Sequence, residues 1–195
     1  MLFFTTPSHS AVIYSGLQNI AIPFSPTGEV YVNLFTNATS STAPVDFETS
    51  PWLLAFFGGS GIGTGPLVRT VVTGGVIAGA EQTANLTYGS VIDAMSRFSI
   101  GDAGFNGSET HTGPALNQFQ LGTQGYIGYA FETTGGGSTY FGVMRITVDN
   151  TGLGTLHDWS YQNVPGMPIS VPEPSRNLLV MLAVATASCR RRRAS

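Results

Sequence analysis

Three consecutive stretches decide the fold: Gly125-Tyr-Ile-Gly-Tyr-Ala-Phe-Glu132, Thr139-Tyr-Phe-Gly-Val-Met-Arg-Ile-Thr-Val-Asp149 and Thr155-Leu-His-Asp-Trp-Ser-Tyr161. In the first, Ile127, Tyr129 and Phe131 occupy every second position. In the second, Tyr140, Met144, Ile146 and Val148 fall on one side, with Phe141, Val143, Arg145 and Thr147 on the other. The third sets Trp159 and Tyr161 two apart. An apolar period of two is what a pleated strand needs in order to bury one face. The connections carry turn chemistry: three consecutive glycines within Thr133–Ser138, and Asn150-Thr-Gly152. The expectation is an antiparallel meander.

Working outward, shorter β-type runs precede this block. Ala11–Tyr14 and Asn19–Ile22 are brief and apolar. Glu29–Phe35 alternates, with Val30, Val32 and Leu34 opposite Tyr31, Asn33 and Phe35. Trp52–Phe57 is continuously apolar, as a strand covered on both faces would be. Leu67–Ile77 reads as a strand or as a hairpin bent at Gly74-Gly75. Tyr88–Phe98 is the one helix expected in the body, with Ser90 as its cap and Val91, Ile92, Met95 and Phe98 at helical spacing. The expected fold is all-β, an antiparallel β-sandwich over residues 11–170 followed by a C-terminal apolar helix.

Composition narrows the function. The 195-residue chain has 10% charged residues, well below the roughly 25% of an average soluble domain. All eight basic residues are Arg, and four of them are Arg190–Arg193. Between Ala11 and Ser170, Arg69, Arg97 and Arg145 stand against ten carboxylates, a net charge of −7. Such an acidic body offers phosphates no cationic surface, so nucleic acid is not an expected partner. The single cysteine, Cys189, adjoins the arginine run, so the body can form neither an internal disulfide nor a thiolate metal site. A cysteine-free body suits export.

No catalytic motif emerges. His157 and Asp158 are neighbours in an expected strand and should point to opposite faces, so they form no dyad by themselves. Gly58-Gly-Ser-Gly-Ile-Gly-Thr-Gly65 lacks the lysine of a phosphate loop and reads as a turn. Asp102-Ala-Gly-Phe-Asn-Gly-Ser-Glu109 gathers oxygen ligands, but a calcium loop of the helix-loop-helix type needs a further acid where Gly113 stands. No metal or cofactor is expected. Carboxylates such as Glu132 and Asp158 could pair as in a glycosidase, although sequence does not bring them to one cleft.

The ends of the chain carry a different kind of signal. Residues 1–10 are apolar and then small and polar, with Ser8-His9-Ser10 in a small-x-small pattern, and are expected to be the remnant of a secretory signal. At residues 171–195, Pro172-Glu173-Pro174 blocks helix and strand alike. An apolar stretch from Leu178, Leu179, Val180, Met181 and Leu182 to Cys189 follows, and then Arg190, Arg191, Arg192 and Arg193. The apolar stretch can enter a bilayer, and the arginines resist crossing it. Its twelve residues fall short of the roughly 20 that span a hydrocarbon core, so flanking residues must lengthen the helix.

This order of elements resembles the PEP-CTERM sorting signal of Gram-negative bacteria. The resemblance implies recognition by a membrane exosortase, processing near Pro172-Glu173-Pro174, transient residence in the inner membrane, and delivery to the cell surface or the exopolysaccharide matrix. Phe141-Gly142, Asp158-Trp159-Ser160-Tyr161 and Pro165-Gly166 also look like features that precede such signals. The leading expectation is therefore a non-enzymatic surface or matrix protein. A carbohydrate-binding module is the alternative, with Trp52, Trp159 and Tyr161 as candidate stacking platforms if they are not core residues. A glycoside-active enzyme is the third reading.

Overall fold

A computed structural model describes residues 10–22, 30–57, 61–77, 80–99, 108–109, 118–133, 137–148 and 154–173. Among these the chain forms fifteen strands: β1 (Val12–Tyr14), β2 (Ile20–Ile22), β3 (Val30–Asn33), β4 (Thr39–Ser40), β5 (Trp52–Phe57), β6 (Gly61–Thr64), β7 (Val68–Thr70), β8 (Val72–Ile77), β9 (Ala80–Thr83), β10 (Val91–Ile92), β11 (Ser108–Glu109), β12 (Gln124–Glu132), β13 (Thr139–Val148), β14 (Gly154–Gln162) and β15 (Ile169–Ser170). One sheet runs β1-β14-β13-β12-β7, with β2 also on the outer edge of β14. A second runs β4-β3-β5-β6-β11-β9-β8, and β10 and β15 make a small third ladder. Every pairing is antiparallel except β11 with β9. The fold is all-β, with two packed sheets.

The meander β12-β13-β14 is the centre, as its alternation predicts. Ile127, Tyr129, Phe131, Met144, Ile146, Leu156, Trp159 and Tyr161 turn inward and meet Val32, Leu34 and Leu53 of the second sheet. Trp159 donates its indole N–H to the Leu34 carbonyl at 3.0 Å, a buried hydrogen bond that joins the two layers. The opposite face of the meander is also covered. Ala130, Phe141 and Val143 pack under Val71, Ala84, Ile92, Ile169 and Val171. The central strands are thus buried on both sides, one by a sheet and the other by segment 84–99 and the tail.

Two glycines make these close approaches possible. A Cβ on Gly142 would lie inside the Tyr129 ring, which crosses its backbone from the paired strand. Burial pushes the Tyr129 hydroxyl well above its usual pKa, and the hydroxyl donates to the Ser160 carbonyl at 3.1 Å. On the other face, a Cβ on Gly128 would come 2.7 Å from Ile92 and 2.8 Å from Val71.

Two local expectations are corrected. Residues 88–98 are not helical: Val91 and Ile92 form a strand against Ser170 and Ile169, and Asp93 Oδ1 accepts from the Met95 and Ser96 amides to close a turn. Ile92 is fully buried while Met95 is 90% exposed, so the residues at helical spacing share no face. Long-range pairing with the tail overrides a weak local preference. The break in Leu67–Ile77 comes at Val71 rather than at Gly74-Gly75. The Val71 amide bonds to Gly128 of the first sheet and its carbonyl accepts from Ala84, so the chain changes sheets at this residue.

Gly142→Ala is expected to destabilise the protein by about 2–3 kcal/mol, because the Tyr129 ring has no room to retreat in a close-packed core. Urea unfolding should show a lower midpoint at unchanged slope. A wild-type midpoint would mean that the ring does not lie across Gly142.

Candidate functional site

The C-terminal segment from Val171 leaves the body at the third ladder. The Val171 amide donates to the Ser90 carbonyl at 2.9 Å, and its carbonyl accepts from Gly89 at 3.2 Å. Gly89 takes a positive φ of 79°, which lets the turn at 87–90 present both groups to the tail. Val171 is 1% exposed and belongs to the outer-face core, so the folded body runs one residue past the expected boundary at Ser170. Pro172 is exposed and Glu173 is half-buried. Pro174, Leu178–Leu182 and Arg190–Arg193 lie outside the described residues, as do residues 1–9 of the expected signal remnant at 1–10 and the expected C-terminal helix. Among the described residues no helix is long and apolar enough to cross a membrane.

The outer face of the meander carries a polar cluster beside this exit face, and it arises from an irregularity that strand periodicity does not anticipate. Arg145 pairs with Asp158, but Ile146 pairs with Leu156, leaving His157 as an extra residue in β14. This β-bulge puts both His157 and Asp158 on the outer face, which corrects the expectation that they point opposite ways. The carbonyl of His157 then accepts from the Gln18 and Asn19 amides at 2.7 and 3.1 Å. Gly16 and Asn19, at φ of 75° and 50°, shape the loop that brings those amides there and splits the edge into β1 and β2.

Asp158 accepts from the Tyr14 hydroxyl at 2.9 Å and from Arg145 Nε at 3.3 Å, and Arg145 Nη2 makes a second, shorter bond to it. Arg145 also reaches Gln124 at 3.4 Å. His157 lies between Asn19 Oδ1 (2.9 Å from Nδ1) and Thr147 Oγ1 (2.8 Å from Nε2). The neutral ring satisfies both, donating from Nδ1 to the Asn19 oxygen and accepting at Nε2 from the hydroxyl. Burial first and the Arg145 charge second lower the His157 pKa, against an opposing pull from Asp158. No hydrogen bond joins His157 to Asp158, so the two make no catalytic dyad. One sequence signal does mark the bulge: Leu156, Trp159 and Tyr161 are all core residues, and a spacing of three inside a strand requires an inserted residue.

Of the two readings of the aromatics, core residues or stacking platforms, the structure shows the first. Trp159 and Tyr161 lie in the inter-sheet core, 1% and 7% exposed, and Trp52 packs with Tyr31 beside Phe47 at 6% exposure, its indole donating to Asp46 at 3.1 Å. None can stack on a sugar. Glu132 and Asp158 stand on the same outer face, but Glu132 is level with Thr139 and Asp158 with Arg145. Six residues of strand separate those levels, roughly 20 Å, whereas glycosidase carboxylates stand within about 10 Å. Glu132 instead pairs with Arg69 at 3.4 Å. Among the described residues no group of three or more histidines, cysteines or carboxylates could hold a metal ion. Most of Asp102–Glu109, including Asp102 itself, lies outside them.

Compared with models of known families, with curated proteins and with solved structures, the chain matches none.

The lowered His157 pKa sets a pH dependence. Between the unfolded value of 6.5 and the lower folded value, the unfolded chain binds a proton that the native ring refuses, so stability falls as pH drops through that window. The melting temperature should decline from pH 7.5 to 5.5, and His157→Gln should flatten the decline. An equally steep fall in the variant would place the proton uptake elsewhere.

Proposed function

We propose that this chain is an exported, non-enzymatic protein of the cell surface or extracellular matrix, sorted through its C-terminal segment. The observation that supports this most directly is that Pro172, which opens the Pro172-Glu173-Pro174 element in the sequence, is exposed immediately after Val171, the last buried residue among those described. An element read by a membrane protease must be extended, and two prolines around Glu173 disfavour helix and strand alike. The apolar run from Leu178 to Cys189 then enters the bilayer as a helix, and Arg190–Arg193 hold its end on the cytoplasmic side. The partner in this reading is a membrane exosortase, with the bilayer as a transient host. The destination is the surface or an exopolysaccharide matrix.

Changing Arg190, Arg191, Arg192 and Arg193 together to Ser should weaken retention, because about 3 kcal/mol opposes the transfer of each arginine into the membrane. A twelve-residue apolar run cannot hold the chain in the bilayer by itself. Glu173→Ala should instead leave insertion intact and block processing, so that an unprocessed form accumulates in the membrane. Truncation after Val171 is the matched control, since ending at Ser170 would remove a buried residue. Gel mobility and membrane fractionation distinguish the three. Processing and release of both substituted chains at the wild-type rate would sink the sorting reading.

A further inference from the structure

We infer that a cleft on the outer face, between the Arg69 side chain and the turn at Pro165-Gly166, binds a neutral saccharide. The cleft encloses about 500 Å³, within the 300–1,000 Å³ typical of small-molecule sites. Phe98 and Phe141 form its apolar floor, stacked at 5.9 Å with their planes 12° apart. Arg69 walls one side, its guanidinium carbon 6.0 Å from the centre of the Phe98 ring. Ser138 and Thr139 bring hydroxyls from the opposite side, where the Gly166 amide fastens the turn to the Thr139 carbonyl at 2.8 Å. Side chains are absent at Gly137 and Gly166, where a Cβ would meet nothing within 4 Å, so the mouth stays wide.

The ligand class follows from these groups. Arg69 reaches Glu132 through one long contact of 3.4 Å, with 41% and 32% of the two side chains exposed. A pair this open contributes little to stability, so an entering hydroxyl loses little by intervening. Arg69, which only donates, lines the cleft together with Ser138 and Thr139, residue types that donate and accept, and this set suits ligand hydroxyls, while Glu132 stands outside the lining as the partner of Arg69. Phe98, stacked on Phe141 and lying under Arg69, gives the cleft an apolar wall for the C–H groups of a sugar ring. Arg69 and Glu132 cancel in charge and the body carries −7, which disfavours a polyanion, while the arginine disfavours a cation. A neutral polyhydroxylated ring satisfies all of these conditions. That the sugar is part of a matrix polymer rests on the sorting reading above; the cleft and its chemistry do not.

The test is calorimetric titration of the full chain with neutral hexose tetrasaccharides (glucan, mannan and galactan) and with a hexuronate tetramer for comparison. Saturable binding of at least one neutral oligomer is expected. Arg69→Gln and, separately, Phe98→Leu should weaken it at least about tenfold, the loss of one charged donor or of the aromatic wall that supports it. Arg97→Gln, whose Glu81 partner belongs to the second sheet, should bind as wild type. Unchanged melting temperatures would separate lost binding from lost folding, and if Phe98→Leu unfolds, Arg69→Gln alone decides. The inference is overturned if no neutral oligomer saturates the protein, if Arg69→Gln binds like wild type, or if the hexuronate binds more tightly. Binding in solution is independent of sorting, so either proposal can fail while the other stands.

Discussion

One inserted residue in β14 organises most of what is distinctive in this molecule. Without His157 as an extra residue, the alternation that buries Leu156 would turn Trp159 and Tyr161 outward, and the inter-sheet core would lose its largest side chain. With it, Trp159 reaches the Leu34 carbonyl and ties the layers, while Asp158 is set outside against Arg145 and Tyr14. The bulge leaves a carbonyl outside the regular ladder, and the 15–19 loop exists in the form that satisfies it. The division of the edge into β1 and β2 is therefore a consequence of the bulge, two strands away from the meander's centre.

Burial on both faces explains the scarcity of charge. A sheet with one face in water can alternate apolar with charged residues, but β12 and β13 face a sheet on one side and segment 84–99 on the other. These two strands carry only two charges, Glu132 at the end of β12 and Arg145 within β13, each paired with a partner of opposite sign. Each of the body's three arginines has a carboxylate partner: Arg69 with Glu132, Arg97 with Glu81, and Arg145 with Asp158. Only the last is well sheltered, with side chains 27% and 12% exposed, and its second bond to Tyr14 makes it part of the outer face rather than a surface pair. The other two lie near the range where ion pairs contribute little.

Legibility in the sequence followed the length of each element. The meander could be read because its strands are long and one face of each is consistently apolar, and the faces assigned to Ile127, Tyr129, Phe131, Met144, Ile146 and Val148 are those buried between the sheets. Residues 88–98 misled because two residues of strand carry no period, and the partner that makes them a strand, Ile169–Ser170, is nearly eighty positions away. Val71 misled for a related reason, since a change of sheet is a property of the two partners and not of the strand. Trp159 and Tyr161 could be read as core or as platforms because such side chains on an alternating strand suit either face, and the bulge sets both in the core. Pro172 and Glu173 were legible as a break in structure and emerge as one; the helix and arginines beyond them rest on sequence alone.

The tail is part of the fold up to a sharp limit, and the limit bears on how sorting and stability can coexist. Ile169 and Val171 fill the outer-face core and Val171 is held through both of its backbone groups, so loss of this residue would open the layer over Val143 and Phe141. One position later the chain is a proline that cannot donate to the ladder and is already exposed. In the proposed reading, cleavage beyond Glu173 leaves in place both hydrogen bonds that hold Val171 to the turn at 87–90. The same arrangement leaves no linker, since an extended residue advances the chain only about 3.5 Å and Glu173 stands within two residues of the body surface. In that same reading, the membrane protease acts within a few residues of the sandwich. The turn at 87–90, which grips Val171, then sets how far the proline-flanked glutamate stands off from the body.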